Sequence, residues 1–278
     1  MQYTQIIYEP GEVARIKLNR PRYYNALSRI LLDEMDDAFK QAAASDQVKV
    51  IVVSGEGKHF SAGHDLGTPE ELADRITYPR ADGISRYIES RRRFVEMGLR
   101  WHNLSKPTIA MVQGYCIFGG WMVATAMDIL FAADTALFLP SHFQYFSVPW
   151  DISPKKTKEV LFEHRFMTSS EARDQGFVNR IFVENKLEEE TLAYARRVAE
   201  NDPLRLRFIK QSVNHMLDTM GFSQEIEADF QTYFIRENIN LIKRGPGDTT
   251  PTPSSNYARV DRALKNLEVR NHTVKKGE

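Results

Sequence analysis

Two short segments carry residue types from which a catalytic centre can be built. One reads His59-Phe60-Ser61-Ala62-Gly63-His64-Asp65-Leu66, and the other Gly114-Tyr115-Cys116-Ile117-Phe118-Gly119-Gly120-Trp121. Each lies beyond an apolar run and opens into a helical pattern. A turn at a helix N-terminus presents backbone N–H groups that have no partner inside the helix. Two such turns side by side can aim two donors at one carbonyl oxygen. That is an oxyanion hole, able to hold the enolate formed from a thioester. Taken singly, each segment is only a tight turn that needs glycine. Their order and spacing favour the chemical reading.

The elements that must position these turns alternate between strand and helix. Residues 13–18, Val-Ala-Arg-Ile-Lys-Leu, alternate apolar and polar as a half-buried strand does, and Arg20-Pro21 stops them. Residues 28–43 place Leu31, Leu32, Met35, Ala38 and Phe39 on one helical face. Residues 48–54 and 107–112 are apolar runs of the kind that form strands covered on both sides. A helix is predicted over 119–127 and a third strand over 129–132. Thr168-Ser169-Ser170-Glu171 is a capping box for a helix ending at Gly176, with a short strand at 178–183. Amphipathic helices follow over 186–201, 203–217 and 223–242. Residues 245–255 are rich in Gly, Pro, Ser and Thr and read as a linker, with one more short helix over 256–268. The expectation is an α/β fold with a C-terminal helical region. Its parts are a core over 1–200, a helical oligomerisation region over 201–245 and an extension over 246–278.

Composition removes several classes of function. Lys+Arg and Asp+Glu both number 37 in 278 residues, so no overall field attracts nucleic acid or an anionic membrane. Cys116 is the single cysteine, which leaves no internal disulfide and no cysteine metal site. A reducing, cytoplasmic setting fits this usage. No apolar stretch reaches the roughly 18 residues of a membrane span, and residues 1–7 show no signal pattern.

Four passages together resemble the crotonase (enoyl-CoA hydratase/isomerase) superfamily. Leu18-Asn19-Arg20-Pro21 with Asn25-Ala26-Leu27-Ser28 resembles its N-terminal signature. Residues 60–66 resemble its first oxyanion loop, and Lys106 to Gly114 with Gly119-Gly120 its second. Glu171-Ala172-Arg173-Asp174-Gln175-Gly176-Phe177-Val178 resembles a later helix and strand. The resemblance implies a ββα superhelical spiral, a trimer or a hexamer of paired trimers, and an acyl-CoA substrate. CoA is then part of the substrate, with no separate cofactor and no metal. The backbone N–H groups of His64 and Gly119 would polarise the thioester carbonyl. Arg22, Tyr23, Ala26, Ala62 and Leu66 would contact CoA, Trp121 and Met122 would meet the substrate, and Lys243 would reach a CoA phosphate from a neighbouring subunit.

The chain departs from that family's pattern where hydration needs two glutamates. Those positions hold Met122 and His142, and a thioether takes no proton near neutral pH. His142 and Asp151 remain as titratable residues for an atypical hydratase, an isomerase or a hydrolase. The plainer alternatives are a packed or solvated loop histidine and a helix N-cap before Ser153-Pro154. Trp121, Tyr145 and Trp150 would line an acyl pocket or simply fill the core. Asp65 is expected to cap the following turn. Arg91-Arg92-Arg93 is read as a solvated face or as a clamp on CoA phosphates. A catalytically silent acyl-CoA-binding or assembly subunit is the reading from a different class.

Overall fold

Strand Val13–Leu18 buries Ala14, Ile16 and Leu18 and turns Val13, Arg15 and Lys17 outward, as its alternation requires. A computed structural model of the chain describes residues 3–78, 83–244 and 256–275, with side chains placed except at 240–244, 256–257 and 272–275.

In chain order the strands are β1 (Ile6–Glu9), β2 (Val13–Leu18), β3 (Val50–Gly55), β4 (Thr108–Val112), β5 (Tyr115–Ile117), β6 (Ile129–Ala133), β7 (Leu137–Leu139), β8 (Met167–Thr168) and β9 (Arg180–Phe182). A six-stranded sheet runs β1-β2-β3-β4-β6-β9, antiparallel only between β1 and β2. β3 and β4 are buried at every residue, which explains their unbroken apolar sequence. A second, three-stranded sheet runs β5-β7-β8, parallel between β5 and β7 and antiparallel between β7 and β8.

Among the helices, α1 (Arg29–Ala44) starts at the Ser28 cap, whose hydroxyl accepts from Leu31 N–H. α2 (Pro69–Thr77) and α3 (Gly83–Ser90) precede a π-helical turn, Arg91–Glu96, that continues as α4 (Met97–His102). α5 (Gly119–Thr125) is short and buried throughout except at its last residue. Then come α6 (Val148–Asp151), α7 (Pro154–Glu163), α8 (Ser169–Asp174), α9 (Leu187–Ala199), α10 (Pro203–Thr219), α11 (Phe222–Arg244) and α12 (Asn256–Lys275). The α8 cap is the predicted one, with Thr168 Oγ1 accepting from Glu171 N–H. The predicted 245–255 linker lies outside the described residues.

α12 is longer than its predicted 256–268 span. Ala263 and Leu267 of this helix pack with Ile117, Phe118, Leu139 and Phe166, a second apolar cluster apart from the main core. Among the described residues, no helix is long and apolar enough to cross a membrane.

Candidate active site

Residues 60–65 run as an extra extended segment between the N-terminal loop and β5. Ser61 N–H donates to the Tyr115 carbonyl at 3.0 Å, and Ile117 N–H returns to the Ser61 carbonyl at 2.9 Å. On the opposite edge, Leu27 N–H donates to Gly63 O at 2.8 Å and Asp65 N–H to Leu27 O at 3.0 Å. Alternation along an extended chain turns the N–H of His64 to the edge away from Leu27.

The second glycine turn lies against this segment. A Cβ on Gly63 would stand 2.6 Å from Ile117 O and 2.9 Å from Gly119 N, and Gly63 has φ +83°. Only glycine combines that backbone angle with so close an approach. Phe118, at φ 50° and ψ −107°, delivers the chain to Gly119, the first residue of α5. The N–H of a first helical residue has no intrahelical partner. Phe118 is held by its own N–H to Leu139 O at 2.8 Å and by the Arg259 guanidinium of α12, 4.3 Å above its ring.

Electrostatics fix the loop that carries the first turn. Asp65 Oδ1 accepts from the N–H groups of Gly67 (3.1 Å) and Thr68 (2.9 Å), so it caps the following turn as expected. Arg20 is almost wholly buried and donates to Asp65 at 2.8 Å, to the Ala26 carbonyl at 2.6 Å and to Glu70 at 2.7 Å. Burial would raise the Asp65 carboxyl, but Thr68, Arg20 and Gly67 outweigh it and hold its pKa below the usual range.

Asp151 sits at the end of α6 and is half-buried. Its carboxylate joins that turn to α5. Trp121 Nε1–H donates to Oδ2 at 2.6 Å, Ser147 Oγ to Oδ2 at 2.8 Å, and Thr125 Oγ1 to Oδ1 at 2.5 Å. Desolvation pushes its pKa up to about 6, against the downward pull of these three donors. It is not a helix cap; Ser153 caps α7, accepting from Lys156 N–H.

The structure does not bring His142 to Asp151. Its Nε2 lies 2.9 Å from Asp229 Oδ2 on α11, and Arg236 donates to Nδ1 at 3.0 Å. Because arginine only donates, Nδ1 accepts and the ring proton sits on Nε2, facing Asp229. Both ring nitrogens are therefore engaged with α11. His142 is thus turned to α11 and not to Asp151.

Trp121 is likewise a core residue rather than a lining one. It is fully buried and stacked on Phe177 at 4.0 Å between ring centroids. Met122 is buried in α5, one residue further on. Tyr145 is buried against Gly98, where a Cβ would lie 2.7 Å from its ring, and Trp150 packs on Phe222. Of the positions expected at CoA, Arg22 and Leu66 are exposed, Tyr23 and Ala62 half-buried and Ala26 buried. Ala62 N–H is bonded to Tyr24 O at 2.8 Å, which ties it to the N-terminal loop. The Lys243 side chain lies outside the described residues. Arg91 pairs with Glu227 and Glu96, and Arg93 with Glu89. Sequence reasoning missed the surroundings of the His64 ring: Gln144 and Phe94 meet it from distant elements, and no local spacing announces them.

Comparison with known proteins gives one answer. A family model described as enoyl-CoA hydratase/isomerase matches residues 9–245. The chain is similar to "Putative enoyl-CoA hydratase EchA13" of Mycobacterium tuberculosis, 34% identical over 255 residues, covering 84% of this chain and 80% of that protein. Among solved structures, a probable enoyl-CoA hydratase from Mycobacterium smegmatis is 37% identical with a TM-score of 0.76, covering 82% of this chain and 92% of that one. Another, from Mycobacterium thermoresistibile, is 39% identical with a TM-score of 0.74, covering 82% and 94%.

Proposed function

Because this chain belongs to the enoyl-CoA hydratase/isomerase (crotonase) family, we propose that it is an acyl-CoA-processing enzyme that stabilises a thioester enolate between the N–H groups of His64 and Gly119. The observation that carries this reading is the abutment of the two turns at Gly63, where even a methyl group would strike Gly119 N. Two donors about 2.7–3.1 Å from one oxygen site would stabilise charge only as it develops there.

Asp151 is the proposed acid–base carboxylate. Its pKa of about 6 lies near the working range for proton transfer. Oδ1 receives a single hydrogen bond, from Thr125, which leaves acceptor capacity on that oxygen. With Met122 and His142 in place of the paired glutamates, the chemistry is that of an atypical hydratase, an isomerase or a hydrolase. The silent-subunit alternative predicts binding without turnover. A screen of the purified protein against enoyl-, dienoyl-, β-keto- and aromatic acyl-CoAs, read by mass spectrometry, separates the two. Binding with no change in any thioester would end the enzymatic reading.

A homotrimer or hexamer is part of the proposal. Phe222 and Phe230 of α11 are buried in the chain's own core and offer no surface for such an assembly. The support comes instead from α10, where Leu204, Phe208, Ile209, Val213 and Met216 are all at least half exposed. A buried Cys116 thiol agrees with a reducing cytoplasm.

A further inference from the structure

One side chain at the two turns has no part in the reading above. The imidazole of His64 folds back over the start of α5. A Cβ on Gly119 would meet its Nδ1 at 3.0 Å and its Cε1 at 3.1 Å. The ring is gripped from two other elements. Its Nε2 lies 3.1 Å from Oε1 of the buried Gln144, and the edge of Phe94 lies against it with ring centroids 4.7 Å apart. A carbonyl oxygen can only accept, so Nε2 carries the proton and Nδ1 the lone pair. The basic nitrogen is thus the one turned toward Gly119.

We propose that His64 Nδ1 is an acid–base group of this enzyme, moving a proton at C2 of the acyl group, with Gln144 and Phe94 as positioning residues. The proposal rests on the thioester reading of the same site. If the amides of His64 and Gly119 hold the carbonyl oxygen, C2 is two bonds from that oxygen. A ring rooted on one donor and folded over the other then stands beside C2. In the step, the Nδ1 lone pair takes the C2 proton and the C–H electron pair forms the C1–C2 double bond. The carbonyl π pair moves onto oxygen, where the two N–H groups meet it. The imidazolium exchanges its proton with solvent and returns one to C2, so the net change on a saturated thioester is isotopic.

Butyryl-CoA in D2O tests this directly, with C2 exchange followed by proton NMR and binding by calorimetry. His64→Gln keeps the backbone donor and removes the proton acceptor. Its exchange rate should fall by at least about 10²-fold while the Kd stays within about threefold. Gln144→Leu should lower exchange by about tenfold at unchanged Kd, because it releases only the ring's orientation. His64→Ala with added imidazole should recover part of the lost rate, which a purely structural histidine would not show. Wild type that does exchange C2, but no faster than His64→Gln or His64→Ala, overturns the His64 assignment alone. Loss of exchange in Asp151→Asn but not in His64→Gln does the same. Wild type that binds butyryl-CoA and never exchanges C2 overturns the enolate reading with it.

Discussion

Replacing Gly63 by alanine puts a methyl group where the two glycine turns meet. The new Cβ would lie 2.6 Å from Ile117 O, 2.9 Å from Gly119 N and 3.0 Å from Phe118 Cβ, at φ +83°. The left-handed backbone alone costs about 1–2 kcal/mol for a residue with a Cβ. The neighbours are largely backbone atoms and cannot swing away. To reach ordinary contact at 3.4 Å, Ile117 O must retreat by about 0.8 Å. Overpacking of this kind adds about 1–3 kcal/mol. A displacement near 1 Å between the donors is worth about 10²-fold in rate. Gly176→Ala is the control, since Gly176 has φ +90° but nothing within 4 Å of its Cβ position. It should lose the backbone term of about 1–2 kcal/mol and no activity. Urea denaturation and C2 exchange of butyryl-CoA read the two effects separately. If Gly63→Ala is no less stable than Gly176→Ala and exchanges at the wild-type rate, the two turns do not form one site.

Three further outcomes are expected. Asp151→Asn should fold and lose most turnover, and it should flatten the pH dependence of stability. The folded pKa of about 6 lies above the ordinary 3.8, so ionised Asp151 costs stability, by up to about 3 kcal/mol above pH 6, and the cost vanishes below pH 4; identical melting profiles from pH 4 to 8 for wild type and variant would contradict this. Arg20→Ala strands the Asp65 carboxylate and should cost about 3–5 kcal/mol by chemical denaturation, part of it regained at acid pH as Asp65 protonates; a loss below about 1 kcal/mol would mean that solvent replaces the arginine. Light scattering at micromolar concentration should give a trimeric or hexameric mass, and Phe208→Glu on the exposed face of α10 should lower it; a monomeric mass for the unaltered chain removes the oligomer proposal.

The elements that carry the glycine turns were legible because their patterns are local. The alternation of residues 13–18, the unbroken apolar runs of β3 and β4 and the capping box of α8 each reappear within a residue or two. The short strands β1, β5 and β7 were not anticipated, since three or four residues hold too little periodicity to separate strand from loop. The His142 environment was out of reach for another reason. Its partners, Asp229 and Arg236, stand 87 and 94 positions away on α11. Asp151 was picked out by elimination along one loop, and its actual donors lie up to 30 positions back in α5. For Trp121 an acyl-pocket wall and plain core packing both stood open. Its stacking on Phe177 decides for the core, a fact of packing that spacing along the chain does not encode.

The π-helical turn at Arg91–Glu96 has a consequence for kinship among relatives of this chain. Met97 N–H reaches back to the Arg92 carbonyl, five residues away, so the turn holds one residue more than an α-helix would. Deleting one residue there would restore the regular winding while the helix on either side keeps its phase, because the turn absorbs a single extra residue. Trp101, which hydrogen-bonds Asp36 in the core, would stay in register, and only the side chains of the turn itself, Phe94 against the His64 ring among them, would be re-aimed. Two otherwise similar chains that differ by a single-residue gap at this turn would thus present different side chains to the His64 ring. An alignment would record only an indel.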